Sequence, residues 1–146
     1  MASTHVQRQC ESWIVGHWLR EKYGCVFSEK SMEMQGRGYF KFDAVSENKE
    51  IIGNVSTASA RTHGGGIASG KKSKLRADCL MLALVSAKTK LMLLTESDMK
   101  EFASKEQEEG RLPLEIQIYH VELPEELKIQ LSEARDTASK EVRKSA

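Results

Sequence analysis

The sequence predicts an α/β fold, a single-domain sandwich with a central mixed sheet flanked by helices. Three observations predict it. An amphipathic helical stretch opens the chain, two strand patterns meet at a polar turn between Tyr39 and Ser56, and the remainder alternates helical with strand patterns. With 146 residues, 40% hydrophobic and 29% charged, the chain has the size and composition of one globular domain. The expected division is a main α/β domain over 1–123 and a C-terminal helix with a fraying tail over 124–146.

The elements follow in order. Val6 to Tyr23 carries Cys10, Trp13, Ile14, His17 and Trp18 at helical spacing. They form one apolar stripe, in which His17 reads as a core histidine and the tryptophans as core anchors. Gly24 supplies the stop. Cys25 to Met34 reads as the first strand, followed by a turn at Gly36–Gly38 and the Tyr39–Ser56 hairpin. A glycine-rich loop spans Ala60 to Gly70. The next helix covers Lys71 to Ala87, with Leu75, Cys79, Leu82 and Val85 inward, and Lys90 to Leu94 is a short buried strand. Ser97 or Asp98 caps a helix that ends before Gly110 and Pro113, with Glu106, Glu108 and Glu109 on its exposed face. Leu114 to Leu123 is the last strand. Pro124 opens the final helix, whose Leu127, Leu131 and Ala134 line up for packing at home or on a partner, and the chain is expected to fray from Lys140.

Several classes are set aside. The longest strictly apolar run, Cys79 to Val85, is too short to cross a bilayer. The opening MASTHVQRQCES has no signal-peptide core. Cys10, Cys25 and Cys79 are scattered, with no CxxC and no histidine at zinc spacing, and read as free thiols of a cytoplasmic protein. A formal net charge of +1 gives no global pull towards nucleic acid or membrane, so any such bias is local.

The hairpin holds the first candidate chemistry. Phe40, Phe42 and Ala44 alternate with Tyr39, Lys41 and Asp43, Ser46 to Glu50 is a polar turn, and Ile51 to Ser56 returns apolar. A turn centred near Asn48 and Lys49 puts Asp43 across from Asn54 and Lys41 across from Ser56. These four side chains are then expected on one face, with Phe40, Phe42 and Val55 on the other. This arrangement resembles the core of the PD-(D/E)xK nuclease superfamily, the restriction-endonuclease and Holliday-junction-resolvase fold. There an Asp on one strand faces an acid-x-Lys on the next. Asp43 matches the first acid, whereas the acid-x-Lys positions hold Asn54, Val55 and Ser56, so the second carboxylate and the lysine are missing. The resemblance extends, as an order of elements, over Gln9 to Leu123. It implies a restriction-endonuclease-like sandwich, a hydrated Mg²⁺ held through Asp43, and Glu11 of the first helix as an additional acid. Asn54 adds an oxygen without charge, and Lys41 is the candidate stand-in for the lysine. With one matched carboxylate, Mg²⁺ is expected to bind weakly or not at all. The same residues also suit the solvated face of an ordinary sheet.

The second feature is a stretch from Ile51 to Ala77 without an acidic residue. It contains Arg61, His63, Lys71, Lys72, Lys74 and Arg76, with Gly64, Gly65, Gly66 and Gly70 between them. Cations at a helix start oppose the macrodipole unless an anion sits there, and free N–H groups beside lysines suit phosphate. These six residues are the candidate contacts to a DNA or RNA backbone; a solvated loop is the plain alternative. Gly65 to Lys72, GGIASGKK, falls one residue short of a nucleotide-binding loop, because Lys72 stands where a Ser or Thr should touch magnesium. The leading expectation is a nucleic-acid-binding domain of nuclease-like fold with a decayed or rebuilt metal site, standing alone, as a homodimer or with a partner subunit. The alternatives are an active divalent-metal-dependent endonuclease using Asp43, Glu11, Asn54 and Lys41, and a non-catalytic protein-interaction module.

Overall fold

Two runs of apolar side chains on opposite faces of one sheet organise the molecule. The computed structural model describes residues 2–61 and 68–145. The chain opens with helix α1 (Ala2–Trp13), passes through a π-helical segment (Ile14–Trp18), and continues into α2 (Leu19–Tyr23). Strands β1 (Phe27–Glu33), β2 (Tyr39–Ser46) and β3 (Ile51–Ser56) follow. Then come α3 (Ser69–Leu84), β4 (Thr89–Leu94), α4 (Ser97–Glu108), β5 (Ile116–His120) and α5 (Glu125–Ser145). The sheet order is β1-β2-β3-β4-β5, antiparallel from β1 to β3 and parallel from β3 to β5. It is a mixed five-stranded sheet with helices on both faces, the α/β sandwich that the sequence predicts.

One face packs Phe42, Val45, Ile52, Met92 and Leu94 against Leu75, Cys79 and Leu82 of α3 and Met99 and Ala103 of α4. The other packs Ala44, Val55, Leu91 and Leu93 against Cys10, Ile14 and Leu19 of the first helices and Leu131 of α5. Leu91 to Leu94 are all fully buried because β4 is covered on both sides. The Cβ of a side chain at Gly53 would stand 3.2 Å from the Leu91 Cβ and carbonyl oxygen, so the missing side chain lets β3 lie close to β4. The helix α5 folds back onto α1, and Leu131 and Ala134 are buried there.

The π-helical segment adds a residue to the first helical stretch. Its buried positions run Cys10, Ile14 and Leu19, a four-residue step followed by a five-residue one. That shift turns His17 outward, contrary to the core position its spacing predicts. It is exposed, stacks on Trp13 with ring centroids 5.2 Å apart, and lies 3.6 Å from Glu21. Gly24 closes the stretch at φ 71°, as expected. The hairpin turns take their left-handed residues from Arg37 (φ 68°) and Lys49 (φ 62°) rather than from glycine.

Two further expectations are corrected. Neither Ser97 nor Asp98 caps α4, whose N-cap position is Glu96; the Asp98 Oδ2 accepts bonds from the Ser59 hydroxyl at 2.6 Å and the Ala60 N–H at 3.1 Å, which ties the chain beyond β3 to the helix start. Glu106 is not on an exposed helical face. It is 4% exposed, because Arg76 and Arg111 close over it.

Candidate functional site

The hairpin departs from regular pairing at Asp43. Against β1, Ser28 pairs with Val45 and Lys30 with Phe42, so Asp43 and Ala44 together oppose Glu29. This is a β-bulge, and it re-aims the strand. Phe42 and Val45 consequently face the α3 side, while Ala44 faces the α1 side. Against β3, backbone pairing joins Ala44 to Gly53 and Val45 to Ile52. One step further, side chains take over. The Asp43 N–H donates to Asn54 Oδ1 at 3.4 Å, and the Val55 N–H donates to Asp43 Oδ2 at 2.8 Å.

Asp43 and Asn54 are therefore the cross-strand neighbours that the sequence predicts. The expected sharing of faces does not hold. Phe42 lies in the α3-side core and Val55 in the α1-side core, because the bulge inserts a residue between them and the turn. Lys41 alternates with Phe40 and Phe42 and pairs with Glu29 at 2.6 Å on the exposed side of the strand. Asn54 turns the other way, and its Nδ2 donates to the Asp78 carbonyl oxygen on α3 at 3.3 Å.

Three elements bring carboxylates towards this gap: Glu11 from α1, Asp43 from β2 and Asp78 from α3. Burial raises the Asp43 carboxyl above the ordinary aspartate range. Asp78 and Glu29 add repulsion, while the Val55 N–H and Lys74 oppose the shift. Burial also lifts Asp78, again against Lys74. Glu11 is pushed up to about 7, first by burial and then by Asp43 and Glu29, with Lys74 and Arg8 opposing. Lys74 is the cation common to all three balances, and its Nζ lies 3.4 Å from Asp78 Oδ2. Three partly dehydrated carboxylates sharing one lysine are short of positive charge, the condition in which carboxyl groups shift upward and bind cations or protons.

The donor chemistry is that of a hard divalent cation, which favours carboxylate oxygens. The spacing is not. Among the described residues no group of three or more His, Cys, Asp or Glu side chains is gathered closely enough to hold a metal ion. Asp43 Oδ2 is already engaged by the Val55 N–H, and Lys74 supplies positive charge beside Asp78.

The basic residues divide by role. Arg76 is 3.3 Å from Glu106 and lies over the Phe102 ring. Lys72 Nζ sits 4.7 Å from the same ring centre. Lys74 serves the carboxylates. Lys71 is exposed on the first turn of α3, and Arg61 is exposed before the loop. His63 and Gly64–Gly66 lie outside the described residues, as does part of the nucleotide-loop-like stretch. Sequence reasoning missed Asp78 and the second role of Lys74. The available signal was their i,i+4 spacing on a helix whose inward positions, Leu75, Cys79 and Leu82, flank Asp78.

Compared with known proteins, the chain matches no family model, no curated protein and no solved structure. No described helix is long and apolar enough to cross a membrane.

Proposed function

We propose that the chain is a nucleic-acid-binding domain of nuclease-like architecture whose metal site has decayed, with Lys74 as its resident cation. The observation that carries this reading is the parting of β2 and β3 at Asp43, where the Asp43 carboxylate accepts from the Val55 N–H and Lys74 stands 3.4 Å from Asp78 on the facing helix. The order of elements supports it, since it resembles the restriction-endonuclease-like fold on which a hairpin Asp and a first-helix Glu serve phosphodiester chemistry. Binding itself belongs to the start of α3. There Lys71 is exposed and Lys72 is partly exposed, next to backbone N–H groups at a helix end that favours anions. Phosphate contacts of this kind position a nucleic acid without reading its bases.

A metal-dependent endonuclease is the second reading. Asp78 and Lys74 favour it, because together they supply the acid and the lysine that Asn54 and Ser56 lack. One experiment separates the two: anisotropy of labelled duplex, single-stranded DNA and RNA over a salt series, with plasmid and branched DNA incubated in Mg²⁺ or Mn²⁺. The proposal expects salt-sensitive binding and intact substrates. Cleavage abolished by Asp43→Asn establishes the endonuclease. Absence of binding at low salt leaves a protein-interaction module.

A further inference from the structure

Lys22 has an unusual set of neighbours for a surface lysine. Its Nζ lies 4.6 Å from the ring centre of Tyr119, 5.6 Å from that of Trp18 and 5.8 Å from that of Tyr23. Trp18 and Tyr23 come from the first helical stretch and Tyr119 from β5, nearly a hundred residues on. All three rings are partly buried and rest on the core formed by Ile14, Leu19 and Leu93. Trp18 and Tyr119 are tilted by 59° with centroids 5.8 Å apart, so they wall a corner rather than stack flat. The Tyr119 hydroxyl donates to Gln117 Oε1 at 2.8 Å, which fixes the ring's orientation. Burial pushes the Tyr23 phenol up to about 12, so it stays neutral at ordinary pH. Among the described residues, the ammonium lies against these rings.

We propose that Trp18, Tyr23 and Tyr119 form an aromatic cage for a quaternary ammonium group, and that Lys22 is a tethered occupant which the ligand displaces. Aromatic faces attract cations through their quadrupoles, and a cage of several faces is how proteins recognise methylated ammonium. A primary ammonium is strongly hydrated and gives up its water reluctantly. A trimethylated one carries the same charge with weaker hydration and more apolar surface, so it gains more from three ring faces than Lys22 does. Lys22 is exposed, so its ammonium can leave the rings for water. The shared chemistry has two sources, a trimethyllysine of another protein or a small choline-type molecule.

The test is a chemical-shift titration of the Trp18 indole and the Tyr119 ring with tetramethylammonium chloride. 3,3-Dimethylbutan-1-ol serves as the neutral isostere, and wild type is compared with Lys22→Ala. Removing the competitor is expected to tighten tetramethylammonium about 2- to 30-fold, while the neutral isostere leaves both rings unshifted. A parallel arm compares choline with a trimethyllysine peptide. Tighter peptide binding assigns the cage to a protein partner, and equal binding assigns it to a small molecule. Lys22→Ala with an unchanged circular dichroism spectrum and no preference for tetramethylammonium over the isostere overturns the proposal.

Discussion

Glu106 and Asp43 are both carboxylates withdrawn from water, and the protein treats them in opposite ways. Glu106 on α4 accepts from Arg111 Nη2 at 2.8 Å and from Arg76 Nη2 at 3.3 Å. The Arg111 hydrogen bonds hold its carboxyl below the ordinary glutamate range against the cost of burial. Asp43 shares a single lysine with Glu11 and Asp78, and burial leaves all three carboxyls above their ordinary ranges. The first region matches two arginines to Glu106 and Glu109, and it joins α3, α4 and the segment beyond α4. The second remains short of cations and sits where the sheet's pairing fails. Well-neutralised clusters fasten a fold; under-neutralised ones cost stability and mark sites.

The comparison breaks first if Glu106 is dispensable. Glu106→Ala takes from Arg76 its carboxylate and leaves Arg111 with Glu109, and is expected to cost about 2 kcal/mol. It should lower the urea midpoint at constant m value. The same substitution is expected to leave nucleic-acid affinity unchanged at temperatures where the variant is folded.

Glu11→Gln sharpens the other side. The folded-state value of about 7 lies above the ordinary 4.5, so the folded protein holds the Glu11 proton more tightly than the unfolded chain does. That contribution is fully present below pH 4.5 and is lost as pH rises through 7. The Gln variant, neutral at every pH, is expected to match wild type near pH 4 and to exceed it by about 1–2 kcal/mol above pH 7. Denaturant melts at the two pH values measure the crossover. A constant difference across the range places Glu11 outside the carboxylate group.

Smaller effects separate the lysines. Lys71→Ala and Lys72→Ala should each reduce the log–log salt slope of nucleic-acid binding by about one unit, with little change in sequence preference. Arg76→Ala should instead lower stability, because Arg76 is committed to Glu106. Lys41→Ala should cost no more than about 0.5 kcal/mol, since its pair with Glu29 is exposed on both sides.

Much of this was legible in the sequence because it was written in apolar spacing. The order of elements, the inward positions of α3 and the neighbouring of Asp43 and Asn54 follow from alternation and turn residues within short windows. What stayed hidden depends on packing between distant elements. The π-helical residue that turns His17 outward lengthens the step from the buried Ile14 to the buried Leu19, and no local pattern announces it. The bulge at Asp43 arises against β1, which contributes Glu29 from outside the hairpin motif. Asp78 and Lys74 share one helix, but only the packing of β3 against α3 sets Asn54 on the Asp78 carbonyl. Glu106 looked exposed because its arginines come from α3 and from beyond α4.

In the proposed function, phosphate binding resides in the lysines at the start of α3 and needs no metal. Its most direct test is duplex affinity across a salt series in EDTA, for wild type and for Lys71→Glu/Lys72→Glu. The expected result is a wild-type affinity that falls steadily with salt, and a double variant that melts like wild type but no longer binds. Equal affinities and equal salt slopes in the two proteins contradict it.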